Sequence, residues 1–199
     1  METLSAELRR TEAVRRFVPR RTIVLVGLMG AGKTRIGRRI AARLKLTFAD
    51  TDRVIEAAAG ETIEEIFANR GERAFRDGER RVILRLLADP VHVLATGGGA
   101  YIDPLTRAAI AERAVSVWLR ADLEVLAARV ARRSDRPLLK AGDPRAILAE
   151  LIERRYPVYA EAELVVDSGE GSPEATAARV IAALADCPLA AMPPAAEGR

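Results

Sequence analysis

The sequence predicts a three-layer α/β/α domain whose middle layer is a five-stranded parallel sheet covered by helices on both faces. Two observations carry that expectation. Short apolar, β-branched runs alternate along the chain with stretches whose apolar residues recur at helical spacing, and a glycine-rich loop joins the first such strand to the first such helix. The strand is Thr22-Ile23-Val24-Leu25-Val26, placed at 22–27. The loop is Gly27-Leu28-Met29-Gly30-Ala31-Gly32-Lys33-Thr34, a complete G-x-x-x-x-G-K-[ST] motif. Its glycines let backbone N–H groups turn toward phosphate oxygens, Lys33 supplies a cation for the β and γ positions, and the Thr34 hydroxyl is suited to Mg²⁺. Ile36, Ile40, Ala41 and Leu44 put a helix over 33–45 that aims its positive end at those phosphates.

The remaining elements follow in order: strand 46–49, helices 53–59 and 62–88, strand 91–95, helix 104–112, strand 114–119, helices 122–132 and 144–156, strand 163–167 and helix 173–185. Asp103-Pro104, Asp143-Pro144 and Ser172-Pro173 each set a capping residue before proline at the first helical position, and Thr62 with Glu65 forms a capping box. Tyr156-Pro157 marks the expected end of helix 144–156.

The chain has 199 residues, 49% hydrophobic and 30% charged, which suits one domain with a single core. Residues 1–20 read as a mobile extension, 21–187 as the domain and 188–199 as a disordered tail. No run approaches the ~20 apolar residues needed to span a bilayer, and the one cysteine, Cys187, excludes a disulfide framework. A cytoplasmic protein is expected. The net charge is +4, but the basic residues are dispersed and aromatics make up 4% of the chain, which argues against nucleic acid.

In an open parallel sheet, chemistry gathers beyond the carboxyl ends of the strands. After the second strand stands Asp50-Thr51-Asp52. The third strand ends without the acidic residue that usually serves Mg²⁺ in such loops, so Asp50 is the candidate for the metal, and Asp52 is free to orient an acceptor hydroxyl or take its proton. Either carboxylate could instead cap the next helix. Thr96-Gly97-Gly98-Gly99 follows the third strand and suggests close approach by a ligand or backbone, although a flexible turn also explains it. His92 falls inside a strand and belongs to the core. Arg76 and Glu79 share a helix face, either as a solvated pair or as a charged site. Residues 129–142, with Arg129 and Arg136 among serine, proline and glycine, have the composition of a mobile cationic lid or of a charged connection.

These residues together resemble shikimate kinase, a P-loop enzyme of the nucleoside-monophosphate-kinase-like group. The resemblance covers about residues 21–186. It rests on the phosphate loop, Asp50-Thr51-Asp52, Phe75-Arg76 with Glu79, the three glycines, Arg136-Pro137-Leu138-Leu139, and Arg155 ahead of Pro157-Val158-Tyr159. It implies transfer of the γ-phosphoryl of ATP to the 3-hydroxyl of shikimate, in the route to chorismate and aromatic amino acids, by a monomer. It also implies residue roles. Asp52, Arg76, Gly97, Gly98, Gly99 and Arg155 would bind shikimate, with Asp52 as base. Gly30, Ala31, Gly32, Lys33 and Thr34 would bind the nucleotide phosphates, Arg129 and Pro173 the adenine, and Lys33 and Arg136 the transferring phosphoryl group. Thr34 and Asp50 would serve Mg²⁺, and Glu79 would hold Arg76. A gluconate kinase of the same fold and a non-catalytic sensor are the alternatives. Asp77-Gly78 departs from the family pattern, and Gly78 should weaken its helix by about 1 kcal/mol relative to alanine.

Overall fold

A computed structural model describes residues 17–131, 143–169 and 171–194. The expected extension up to residue 16, lid residues 132–142 with Arg136, and residues 195–199 lie outside the described residues. The strands are β1 (Thr22–Val26), β2 (Phe48–Asp50), β3 (Val93–Ala95), β4 (Ala114–Arg120) and β5 (Leu164–Asp167). The helices are α1 (Lys33–Leu44), α2 (Thr51–Ala59), α3 (Ile63–Leu87), α4 (Pro104–Arg113), α5 (Leu123–Ala131), α6 (Pro144–Tyr159), α7 (Pro173–Ala185) and α8 (Pro188–Ala191). The five strands form one sheet in the order β2-β3-β1-β4-β5, all parallel. β1 lies at its centre, and Ile23, Val24, Leu25 and Val26 are wholly buried. A strand with four successive apolar residues is stable only when both of its faces are covered.

The four expected helix starts form as their sequences require. Asp103 accepts from the backbone of Leu105 and Thr106, Asp143 from Arg145, and Ser172 from Ala175, while Thr62 and Glu65 make a reciprocal capping box. His92 is buried, with Nδ1 2.9 Å from the Pro90 carbonyl and 3.3 Å from Thr22 Oγ1.

Three expectations are corrected. The chain does not lose order at Pro188: α8 buries Ala190, the Arg20 amide donates to the Ala190 carbonyl at 2.8 Å, and the Arg21 side chain donates to the carbonyls of Met192 and Pro193. Alanine and proline leave composition ambiguous here, and tertiary hydrogen bonds decide. α6 continues through Pro157 to Tyr159. The helix gives up the hydrogen bond that a proline cannot donate, because Tyr156 and Tyr159 pack on Trp118 with ring centroids 4.8 and 6.0 Å away. The helix expected over 62–88 is broken at Gly71, whose φ of 78° and ψ of 168° lie outside helical space, while Gly78 sits in the helix without distortion.

Candidate active site

The phosphate loop turns sharply out of β1. Gly27 has φ 136°, and a Cβ there would stand 2.8 Å from the Leu119 carbonyl of β4, so only glycine lets the loop cross the sheet end this closely. The loop closes on Gly32, whose carbonyl receives the Ile36 amide at 2.8 Å and starts α1. Gly30, Gly32, Lys33 and Thr34 face a cavity of about 360 Å³. Ala31 does not line it; its amide donates to the Leu28 carbonyl and its own carbonyl accepts from Ser168 Oγ, so it belongs to the frame of the loop. The Lys33 ammonium folds back onto the carbonyls of Gly27 and Leu28 at 2.7 and 3.0 Å.

On one side of this cavity stand Arg129, Val130, Ser168, Gly171, Pro173 and Thr176. Arg129 donates to the Gly30 carbonyl at 3.2 Å, to Ser168 Oγ at 3.1 Å and to the Gly169 carbonyl, which locks the end of α5 to the loop and to the segment after β5. Burial, helped by the nearby charge of Arg35, lowers its pKa.

On the other side are Asp50, Asp52, Thr96 and Gly98. Asp50 makes no capping bond. Its Oδ2 instead accepts the Thr34 hydroxyl at 2.7 Å, joining the end of β2 to the loop across the sheet. Thr51 is fully buried, and its Oγ1 accepts the Gly97 amide at 2.9 Å, tying the start of α2 to the end of β3.

The three glycines are seats for charged groups. A Cβ at Gly97 would collide with Glu79 Oε1 and lie 2.9 Å from Asp52 Oδ1; one at Gly99 would lie 2.5 Å from Arg76 Nη1. The Gly98 carbonyl accepts from Arg155 Nη1 at 3.0 Å and from the Tyr159 hydroxyl. Residues from α2, α3 and α6, far apart in sequence, therefore converge on residues 97–99. Arg76 pairs with Glu79 at 2.7 Å and lies 5.1 Å from the centre of the Phe75 ring. The Glu79 side chain is 3% exposed, and burial, against the pull of Arg76 and with the push of Asp52, raises its pKa. The solvated-pair reading of Arg76 and Glu79 is thereby set aside. Burial also pushes the Tyr159 hydroxyl up to about 12, which keeps it a neutral donor at working pH.

Two guanidinium groups, of Arg76 and Arg155, and the Asp52 carboxylate thus gather around residues 97–99 next to the phosphate loop. A model of the shikimate kinase family matches residues 29–185. The chain belongs to the shikimate kinase family. It is 60% identical to the shikimate kinase of Paramagnetospirillum magneticum over 164 residues, 82% of this chain and 84% of that one. It is 61% identical to the shikimate kinase of Caulobacter vibrioides over 150 residues, 75% of each chain. Among solved structures, the shikimate kinase of Acinetobacter baumannii in complex with shikimate superimposes with a TM-score of 0.81 at 35% identity, covering 88% of this chain and 97% of that chain. As a shikimate kinase, the chain is an ATP-using phosphotransferase that acts on a shikimate hydroxyl.

Sequence reasoning passed over Thr51, Ser168 and Tyr159 as site residues. Ser168 follows β5 and was open to the strand-end argument. Thr51 and Tyr159 act through backbone atoms of residues 97–98, a partnership that no local pattern encodes.

Proposed function

We propose that the chain phosphorylates the 3-hydroxyl of shikimate with the following division of labour. Arg76 and Arg155 grip the carboxylate of the acceptor, with residues 97–99 beneath it, and Asp52 orients the 3-hydroxyl and accepts its proton as the new O–P bond forms. Glu79 holds Arg76 in place. Lys33 leaves the carbonyls of Gly27 and Leu28 for the β- and γ-phosphates, while Gly30, Gly32 and Thr34 form the cradle on the frame that Ala31 helps to hold, and Arg129 and Pro173 border the adenine. Arg136, which lies outside the described residues, takes the role of a second cation on the transferring group. The products are shikimate 3-phosphate and ADP.

The Thr34 hydroxyl and the Asp50 carboxylate, 2.7 Å apart, are hard oxygen donors and fit Mg²⁺. Among the described residues no three His, Cys, Asp or Glu side chains form a metal cage, which suits an ion that keeps most of its water and phosphate ligands. When bound, Mg²⁺ neutralises phosphate charge. No helix among the described residues is long and apolar enough to cross a membrane, and a monomer in the cytoplasm is the reading we adopt.

The observation that carries this proposal is that Asp52 and Gly98 line the same cavity as Lys33 and Thr34, which supports bringing an acceptor hydroxyl and a γ-phosphate together in one space. A coupled ADP-release assay tests it. Release is expected with shikimate and Mg²⁺, and not with gluconate or without acceptor; release indifferent to shikimate would overturn it.

A further inference from the structure

A second cavity, of about 330 Å³, lies between α2 and α3, away from the phosphate loop. Its floor belongs to a small core separate from the main one, built on Ile55, Ile66 and Phe75, with Val82 packed against it. Its rim carries Arg70, Arg81 and Arg85. Arg70 is engaged with Glu61 at 2.8 Å, but Arg81 and Arg85, neighbours at i and i+4, have no acidic partner among the described residues. Two like charges so placed repel one another. Gly78 opens the wall: a Cβ there would meet only the Arg81 guanidinium, at 3.9 Å, so the head of Arg81 reaches over the space that a larger side chain would fill.

An apolar floor under two guanidinium groups with no acidic partner among the described residues selects a small amphipathic monocarboxylate, with its apolar ring buried and its acid between Arg81 and Arg85. We infer that this cavity is an effector site for such an anion, coupled to the acceptor site through the residues of α2 and α3 that stand between the two. Phe75 faces the cavity and lies 5.1 Å below the guanidinium carbon of Arg76. Ile55 faces it one turn after Asp52, and Gly78 adjoins Glu79. A ligand that fills the space braces the lobe carrying Asp52, Arg76 and Glu79, and so lowers the KM for shikimate and leaves kcat unchanged. Linkage requires shikimate to tighten the effector by the same factor.

The probe is 3-phenylpropionate, with 3-phenylpropanol as its uncharged counterpart. Ligand-observed NMR on the full chain is expected to show saturable millimolar binding of the acid, as its size allows, and none of the alcohol. Saturating shikimate should tighten it about fivefold, and the acid should lower the shikimate KM about fivefold. Arg81→Gln with Arg85→Gln should weaken the probe about tenfold with unliganded kinetics unchanged, and Gly78→Leu should abolish its binding with the circular dichroism spectrum retained. Absence of saturable binding, displacement of the probe by shikimate, an unaltered shikimate KM, or undiminished binding to the double variant would each overturn the inference. Because the double variant alters exposed side chains alone, it keeps the test decisive if Gly78→Leu misfolds.

Discussion

At the scale of single residues, the proposed reaction gives its acceptor end to Asp52. Asp52→Asn keeps the shape and removes the base, so turnover should fall about a hundred- to ten-thousandfold with ATP binding unchanged, measured by steady-state kinetics beside nucleotide titration. The three glycines should differ in tolerance. Alanine at Gly97 or Gly99 drives a methyl into Glu79 or Arg76, whereas at Gly98 the nearest atoms are 3.6 Å away. Gly97→Ala and Gly99→Ala are expected to cost about 10- to 100-fold in kcat/KM for shikimate, and Gly98→Ala only a few-fold; equal losses at all three would contradict the assignment. Glu79 titrates above an ordinary carboxylate. Because burial raises its folded pKa, the folded chain binds this proton more tightly than the unfolded one. Its contribution to stability is complete below the ordinary carboxylate value and is lost as pH rises through the raised one. Glu79→Gln has no such proton, so the Tm of wild type minus that of the variant should decline from about pH 4 upward. Thermal melts across pH check the sign. Asp50, Asp52 and the three glycines stood out as candidates because they follow strands, whereas Arg76 and Glu79 were equally open to a solvated pair and Arg155 came only from the resemblance, since a helix position carries no such signal. Thr51 and Tyr159 were not, since each matters only through a backbone atom that the fold brings to it.

At the scale of elements, helix signals and tertiary demands part company in α3 and α6. Gly71 and Gly78 look alike in sequence. Only Gly71 has positive φ, so Gly71→Ala should destabilise although the space around it is open, while Gly78→Ala should stabilise by about 0.5–1 kcal/mol. Opposite shifts in Tm are the expected result, and a stabilising Gly71→Ala would refute the break. Capping residues proved legible because a cap is a local hydrogen bond. Pro157 misled because its cost of about 3 kcal/mol is local, whereas the compensation is not: Tyr156 and Tyr159 pack on Trp118, and Tyr159 reaches the Gly98 carbonyl.

At the scale of the whole molecule, the last described residues strap the sheet at the end opposite the phosphate loop. Arg21, just before β1, donates to carbonyls of Glu112, Met192 and Pro193, and the Arg20 amide donates to Ala190. Truncation after Cys187 removes three of these bonds and should therefore cost about 1.5–4.5 kcal/mol, at roughly 0.5–1.5 kcal/mol for each, and leave the shikimate KM unchanged. Denaturant melts and kinetics on the truncated chain test both halves. The parallel strands, the loop that cradles phosphate and the chemical types of the acceptor residues were determined by the sequence alone, since periodicity, glycine placement and charge act over a few residues. Only the tertiary structure decided the strand order β2-β3-β1-β4-β5, which brings Asp50 from β2 to Thr34 beside β1 and sets the β3 glycines between them and Arg155. Such pairings join groups up to 137 positions apart in the chain, as from Ser168 to Ala31, and core packing, not any local preference, holds them together.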